Sequence, residues 1–193
     1  AVSGQNFQDS LLSNPADRNE FLPVSVIYGS NGGGKSNVLD AISCIVSLVM
    51  KPILIFKNNT NQNAAMELTP FLFDEDSRNK PTKFELYFRP NEEYEYRYFI
   101  TITKGVINEE CLYRRKLGKG SRIAMLFERN CGEIELGASI NRKKINLEVN
   151  DQMPYLSFLY INYKLEPIIL AVDWFEKCVI RNYANPNTER HHE

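Results

Sequence analysis

Eight consecutive residues, Gly29-Ser30-Asn31-Gly32-Gly33-Gly34-Lys35-Ser36, satisfy the pattern G-x-x-x-x-G-K-[ST] without a mismatch. Glycines at these places let main-chain amides turn inward around the β- and γ-phosphates of a polyphosphate, where a Cβ would clash. Lys35 would bring a point charge to the γ-phosphate, and the Ser36 hydroxyl would be a ligand for Mg²⁺. A helix starting at this point adds its positive end to the same anion. The plainer alternative is a glycine-rich turn with no ligand, and the flanking sequence weighs against it.

Those flanks are the elements that would position the loop. Pro23 to Tyr28 is a short, mostly apolar run that reads as a buried strand. From Ser36 to Met50, Val38, Leu39, Ala41, Ile42, Ile45, Val46 and Val49 recur with a helical rhythm and form a wide apolar face. Strand, glycine loop and helix together are the setting the motif requires. Residues 1–22 read as a polar loop leading in, and 57–63 as a polar, asparagine-rich connection.

Beyond residue 80 the period changes from 3.6 to 2. Phe84, Leu86 and Phe88 alternate with Lys83, Glu85, Tyr87 and Arg89, and Tyr94, Tyr96, Tyr98, Ile100 and Ile102 share the next face. Turns at 90–93, 104–105, 118–120 and 131–132 separate further strands at 106–117, 122–129 and 133–136, which makes an antiparallel meander. Helical spacing returns at Tyr155–Tyr163 and Glu166–Val179. The expected fold is α/β: the N-terminal lobe of a P-loop NTPase, strand–loop–helix over 20–56, with an antiparallel wing over 68–137 and a helical segment over 150–183.

The rest of the chemistry-bearing residues are weaker signals. Arg114, Arg115, Lys116, Lys119 and Arg122 crowd one hairpin. They could meet nucleic-acid phosphates or reach a nucleotide across a dimer, but charge runs on exposed hairpins are usually solvated, and that reading is preferred. Tyrosines at 94–98 could stack bases, yet at period 2 they are more simply one packed sheet face. Glu92-Glu93 and Glu109-Glu110 are neighbours that point to opposite sides of a strand, so neither pair converges on one substrate atom. Cys44, Cys111, Cys131 and Cys178 lie far apart, which suits free thiols in a reducing cytoplasm rather than disulfides or a zinc site. A net charge of -1 gives no global pull toward nucleic acid. The most apolar segment, Ala41 to Met50, is too short for a membrane span and reads as a core helix.

The motif fixes a ligand class and leaves the reaction open. Guanine-nucleotide switches need N-K-x-D and D-x-x-G; Asn79-Lys80-Pro81-Thr82 lacks the final Asp and every aspartate fails the second pattern. Small-molecule kinases usually continue in all-parallel α/β fashion, which the meander opposes.

The stretch from Val26 to Ile42 resembles the Y-G-x-N-x-x-G-K-S-N-L-L-x-A-I of ABC-related ATPases, the group of SMC, RecF and OLD proteins and of AAA-family ATPases in bacterial defence loci. Asn37 after the serine and Asp40-Ala41-Ile42 are more particular to that group than the bare glycine loop is. Pro70–Asp74, Pro81–Glu85, Tyr96-Arg97-Tyr98, Ile107–Leu112 and Trp174-Phe175 are similar to its OLD-like branch, including the ATPases of abortive-infection and retron-type loci. The resemblance implies a head domain that binds ATP-Mg²⁺ through Gly29, Ser30, Asn31, Gly32, Gly33, Gly34, Lys35, Ser36 and Asn37. It further implies dimerisation around the nucleotide, with hydrolysis read by a nuclease or toxin effector, as in phage defence. Alternatives are a chain that binds ATP without hydrolysing it, or a small-molecule kinase.

Three family parts are missing from the sequence, the first being the opening strand that ends in an Asn-Phe-x-x-Phe-like run, absent or reduced to Asn6-Phe7. Leu117-Gly118-Lys119-Gly120-Ser121 has the composition of a signature motif but falls in a hairpin turn. The Walker B carboxylates, one for Mg²⁺ and one for the attacking water, have only imitations. Ile168–Asp173 is followed by Trp174 rather than Glu and has a helical period; Asp74-Glu75 follows a short apolar run that starts after Pro70. The chain opens on Ala1 and closes on a polar 185–193 tail, and reads as a piece of a longer protein with its Walker B beyond residue 193. The terminal His191-His192-Glu193 reads as tail rather than metal site.

Overall fold

The computed structural model describes residues 11–14, 17–59, 80–141 and 144–181. Five strands, β3 (Thr82–Phe88), β4 (Tyr94–Thr103), β5 (Val106–Lys116), β6 (Ile123–Asn130) and β7 (Glu133–Leu136), form an antiparallel sheet in sequential order. This is the expected meander. Three helices, α1 (Lys35–Lys57), α2 (Tyr155–Asn162) and α3 (Glu166–Lys177), pack against one another. They share one hydrophobic core with the sheet, which makes the fold mixed α/β.

The period-2 pattern does the sorting. Tyr96, Tyr98, Ile100 and Ile102 of β4 are buried together with Leu112 of β5 and Phe127 of β6. The helices supply Ile45, Val49, Ile53, Leu156, Leu159, Ile168, Val172 and Phe175. Aromatic rings stitch the layers: Phe88 stacks on Trp174 at 4.5 Å, Phe175 meets Tyr98 edge-on at 5.7 Å, and Phe127 meets Tyr155 at 5.2 Å. The tyrosines of β4 are therefore a packed sheet face. On the solvent face the charges are paired instead. Glu95 binds Arg115 at 2.7 Å and Arg89 at 3.0 Å, and Glu85 binds Arg97 at 2.7 Å.

One turn requires glycine by contact. A Cβ on Gly137 would lie 1.8 Å from the Met125 carbonyl oxygen. Its N–H donates to the Leu126 carbonyl at 2.8 Å, next to the register shift where β5 and β6 meet at Leu112/Tyr113.

A buried polar group fastens the helices to the sheet. Glu110 on β5 is fully buried, and its carboxylate accepts from the Tyr98 hydroxyl at 3.0 Å and from the amides of Tyr155 at 2.6 Å and Leu156 at 3.0 Å. Those two amides begin α2, whose cap position is Pro154 and which has no local side-chain cap. Glu110 thus caps the helix across 45 residues of sequence. Opposite it in the ladder stands Arg129, also buried, which donates to the carbonyls of Met153 and Asn150 and pairs with Asp151 at 2.9 Å. Burial pushes the Glu110 carboxyl above the ordinary range, and the two amides, Arg129 and the Tyr98 hydroxyl pull it back part of the way.

Three sequence expectations are corrected here. Residues 24–30 carry no secondary structure, although an apolar run there reads as a buried strand. Val24, Val26, Ile27 and Tyr28 are 70%, 63%, 58% and 88% exposed. A strand needs a neighbour for its backbone and a layer for its side chains, and no described strand lies beside this segment. Residues 1–22 are not a loop throughout: β1 (Leu12–Asn14) pairs antiparallel with β2 (Asp17–Phe21), and the Arg89 guanidinium sits 4.5 Å over the Phe21 ring. The P-loop helix runs on to Lys57, and its apolar face divides: Ile45, Val46, Val49 and Ile53 are buried, whereas Val38, Leu39 and Ile42 are exposed. At this length and composition α1 could cross a membrane, but its second half is core.

Glu110→Gln turns an acceptor-only carboxylate into an amide that must aim an N–H at one of its donors. It is expected to lower unfolding free energy by about 2 kcal/mol in urea titrations. Glu95 carries the opposite sign. Burial acts to raise its pKa, but the hydrogen bonds from Arg115 and Arg89 outweigh this and leave it lowered. Its contribution to stability is present above the ordinary glutamate pKa and is lost as pH falls through the lowered value. Urea midpoints measured from pH 7 down to pH 3 should fall less steeply for Glu95→Gln than for the wild type; equal slopes would contradict the pairing.

Candidate phosphate site

The loop 29–34 leads directly into α1, which starts at Lys35. Gly34 caps the helix in the left-handed region (φ 82°, ψ 7°) and Gly32 has φ 81°. Side chains seldom adopt that conformation, so the sequence needs glycine at both positions. Gly33 closes the turn by donating its N–H to the Ser30 carbonyl at 3.1 Å; a Cβ on Gly33 would sit 3.0 Å from that same oxygen. The left-handed backbone thus demands glycine at 32 and 34, and at 33 a side chain would crowd the Ser30 carbonyl.

Lys35 folds back over the loop. Its Nζ donates to the carbonyls of Gly29 at 2.7 Å and Ser30 at 2.6 Å. An ammonium held on two carbonyls spans the loop's mouth and keeps one positive charge at its rim. The N-terminus of α1 has no side-chain cap and no acidic residue in its first turn. Its first amides have no partner within the helix, and no carboxylate of that turn competes for them. Ser36 and Asn37 follow on the exposed start of the helix. Of the sequence-named residues, Gly29 to Asn37 are therefore brought together as one open, cationic, amide-bearing turn.

The hairpin basics divide. Arg114 pairs with Glu166 of α3 at 3.1 Å and lies 4.6 Å over the Tyr94 ring, while Arg115 pairs with Glu95. These two hold the wing to itself and to α3. Lys116, Lys119 and Arg122 remain at the surface of the turn. Among the described residues no three His, Cys, Asp or Glu side chains are grouped to hold a metal ion. All four cysteines are free; burial pushes Cys44 and Cys178 up and Cys111 up to about 11, which suits inert thiols at those three positions. Ile168–Asp173 is part of α3, as its period indicates, while Asn6-Phe7, Asp74-Glu75 and the terminal histidines lie outside the described residues. Sequence reasoning assigned no role to Glu110. Its signal was an acid two residues before Leu112, the apolar residue that continues the same face of β5.

No match was found among curated proteins or among solved structures. A family model described as "AAA domain, putative AbiEii toxin, Type IV TA system" matches residues 24–172, a span that runs from the exposed segment before the loop, through the wing, to α3. The chain belongs to that AAA family, and with it to the P-loop ATPase domains.

Proposed function

We propose that this chain binds ATP with Mg²⁺ at Gly29–Asn37 and forms part of an ATPase whose nucleotide state controls a partner. The observation that supports it is the conjunction at one helix start of two positive-φ glycines, an uncapped N-terminus and the Lys35 ammonium at the loop's mouth. In this reading the amides of Asn31 to Lys35 surround the phosphates, and Lys35 leaves its carbonyls in part to meet the γ-phosphate. The exposed Ser36 hydroxyl fits Mg²⁺, which keeps several waters and takes few protein ligands.

Hydrolysis needs a carboxylate to position water, and no described strand beside the loop carries one. The apolar residues at 24–28 and on the first turns of α1 are exposed, which leaves them free to pack against such a strand. In this reading the Walker B carboxylates come from residues outside those described. In the family reading it dimerises through nucleotide in the cytoplasm and gates a nuclease or toxin effector, as in phage defence. A chain that binds ATP without turning it over is the second reading, favoured by the same missing carboxylate.

Lys35→Ala is expected to weaken binding of a fluorescent ATP analogue by about tenfold or more, the worth of a charge-assisted contact. Unchanged affinity in that variant would contradict the site. Gly34→Val forces a β-branched residue to φ 82° and should abolish measurable binding while α1 persists by circular dichroism. Sedimentation with and without ATP-Mg²⁺ tests the dimer.

A further inference from the structure

α1 contains a weak point and an external brace. Pro52 is buried inside the helix and has no N–H for the Leu48 carbonyl one turn back. The next carbonyl, that of Val49, receives the Ser157 hydroxyl from α2 at 2.7 Å. Ser157 is fully buried, and a buried hydroxyl aimed across 108 residues at one helical carbonyl is a specific contact. Two residues before it in α2 stands Tyr155, whose amide is held by Glu110 of β5. Two polar contacts, joined by the backbone of the first turn of α2, therefore link the sheet (Glu110) to the middle of α1 (Val49). The phosphate loop sits at the far end of the same helix, about 21 Å away at 1.5 Å per residue. The exposed first turns of α1 bury little of their own, so the direction of that half is set by how the helix is held around Val49.

We propose that Ser157 is a positioning residue for the phosphate loop: with Glu110 behind it, it fixes the direction of the loop-bearing half of α1, so that displacement of β5 against α2 changes nucleotide affinity. This rests on the nucleotide reading above. That strand then acts as a lever on the site, and a partner that shifts β5 against α2 alters ATP binding without touching the loop.

The test compares Ser157→Ala, Ser157→Thr and Leu136→Ala, the last being a buried residue of β7 that takes no part in that link. Affinity for a fluorescent ATP analogue with Mg²⁺ should fall in Ser157→Ala by up to about fivefold, the ceiling reached if the whole worth of one hydrogen bond differs between the free and the nucleotide-bound states. It should return in Ser157→Thr, which keeps the hydroxyl, and stay at the wild-type value in Leu136→Ala despite a lowered Tm. Equal affinity in Ser157→Ala, or an equal loss in Leu136→Ala, overturns the proposal. Amide hydrogen exchange over residues 35–48 gives a second readout that needs no nucleotide. Faster exchange in Ser157→Ala than in Leu136→Ala at matched stability supports the brace, and equal rates overturn it. Should the wild type fail to bind the analogue at all, the nucleotide reading fails, while the exchange result still decides whether Ser157 holds the helix.

Discussion

A carboxylate buried without water must be met by donors, and in this fold that constraint organises the helical layer. Glu110 is held by a tyrosine hydroxyl from the neighbouring strand and by the first two amides of α2. The helix in turn lacks a local cap. Each half leaves the other's polar groups unsatisfied when removed, so sheet and helix are joined by mutual need rather than by apolar contact alone. Arg129 beside it fastens the loop 150–153 that delivers the chain to α2. From α2 the Ser157 hydroxyl reaches α1, and α1 carries the glycine loop.

The molecule is accordingly well packed at one end and open at the other. Around β4, β5, α2 and α3 aromatic and aliphatic side chains are buried, whereas the loop, the segment before it and the first turns of α1 face solvent. Openness suits a site that must admit a polyphosphate. The apolar side chains at 24–28 have a different meaning, since an anion does not cover them. They leave an apolar surface uncovered beside the loop.

Much of this was legible in the residues themselves. The meander could be read because Phe84 to Phe88 and Tyr94 to Ile102 alternate, and a half-buried sheet leaves that trace directly. The glycine loop was legible because each glycine answers a backbone demand found again in the structure, at Gly32, Gly33 and Gly34. The strand at 23–28 was misread because apolar runs report a wish to be covered, and covering depends on a neighbour that the run does not encode. The hairpin at 12–21 was missed since its residues are polar and short, without alternation. Glu110 escaped because an acid inside a strand pattern looks like surface until the helix start that needs it is placed alongside. Arg114 and Arg115 looked like one patch, but ladder geometry sends neighbours to opposite faces, one to Glu166 and one to Glu95.

The central claim is that main-chain amides of the glycine loop hold the phosphates of a nucleotide. Amide NMR of ¹⁵N-labelled protein titrated with ATP-Mg²⁺ tests it most directly. The account predicts large, saturable shifts for Gly32, Gly33, Gly34, Lys35 and Ser36, absent when adenosine replaces ATP. Shifts that leave these five amides in place while moving others, or none at all at millimolar nucleotide, would contradict it.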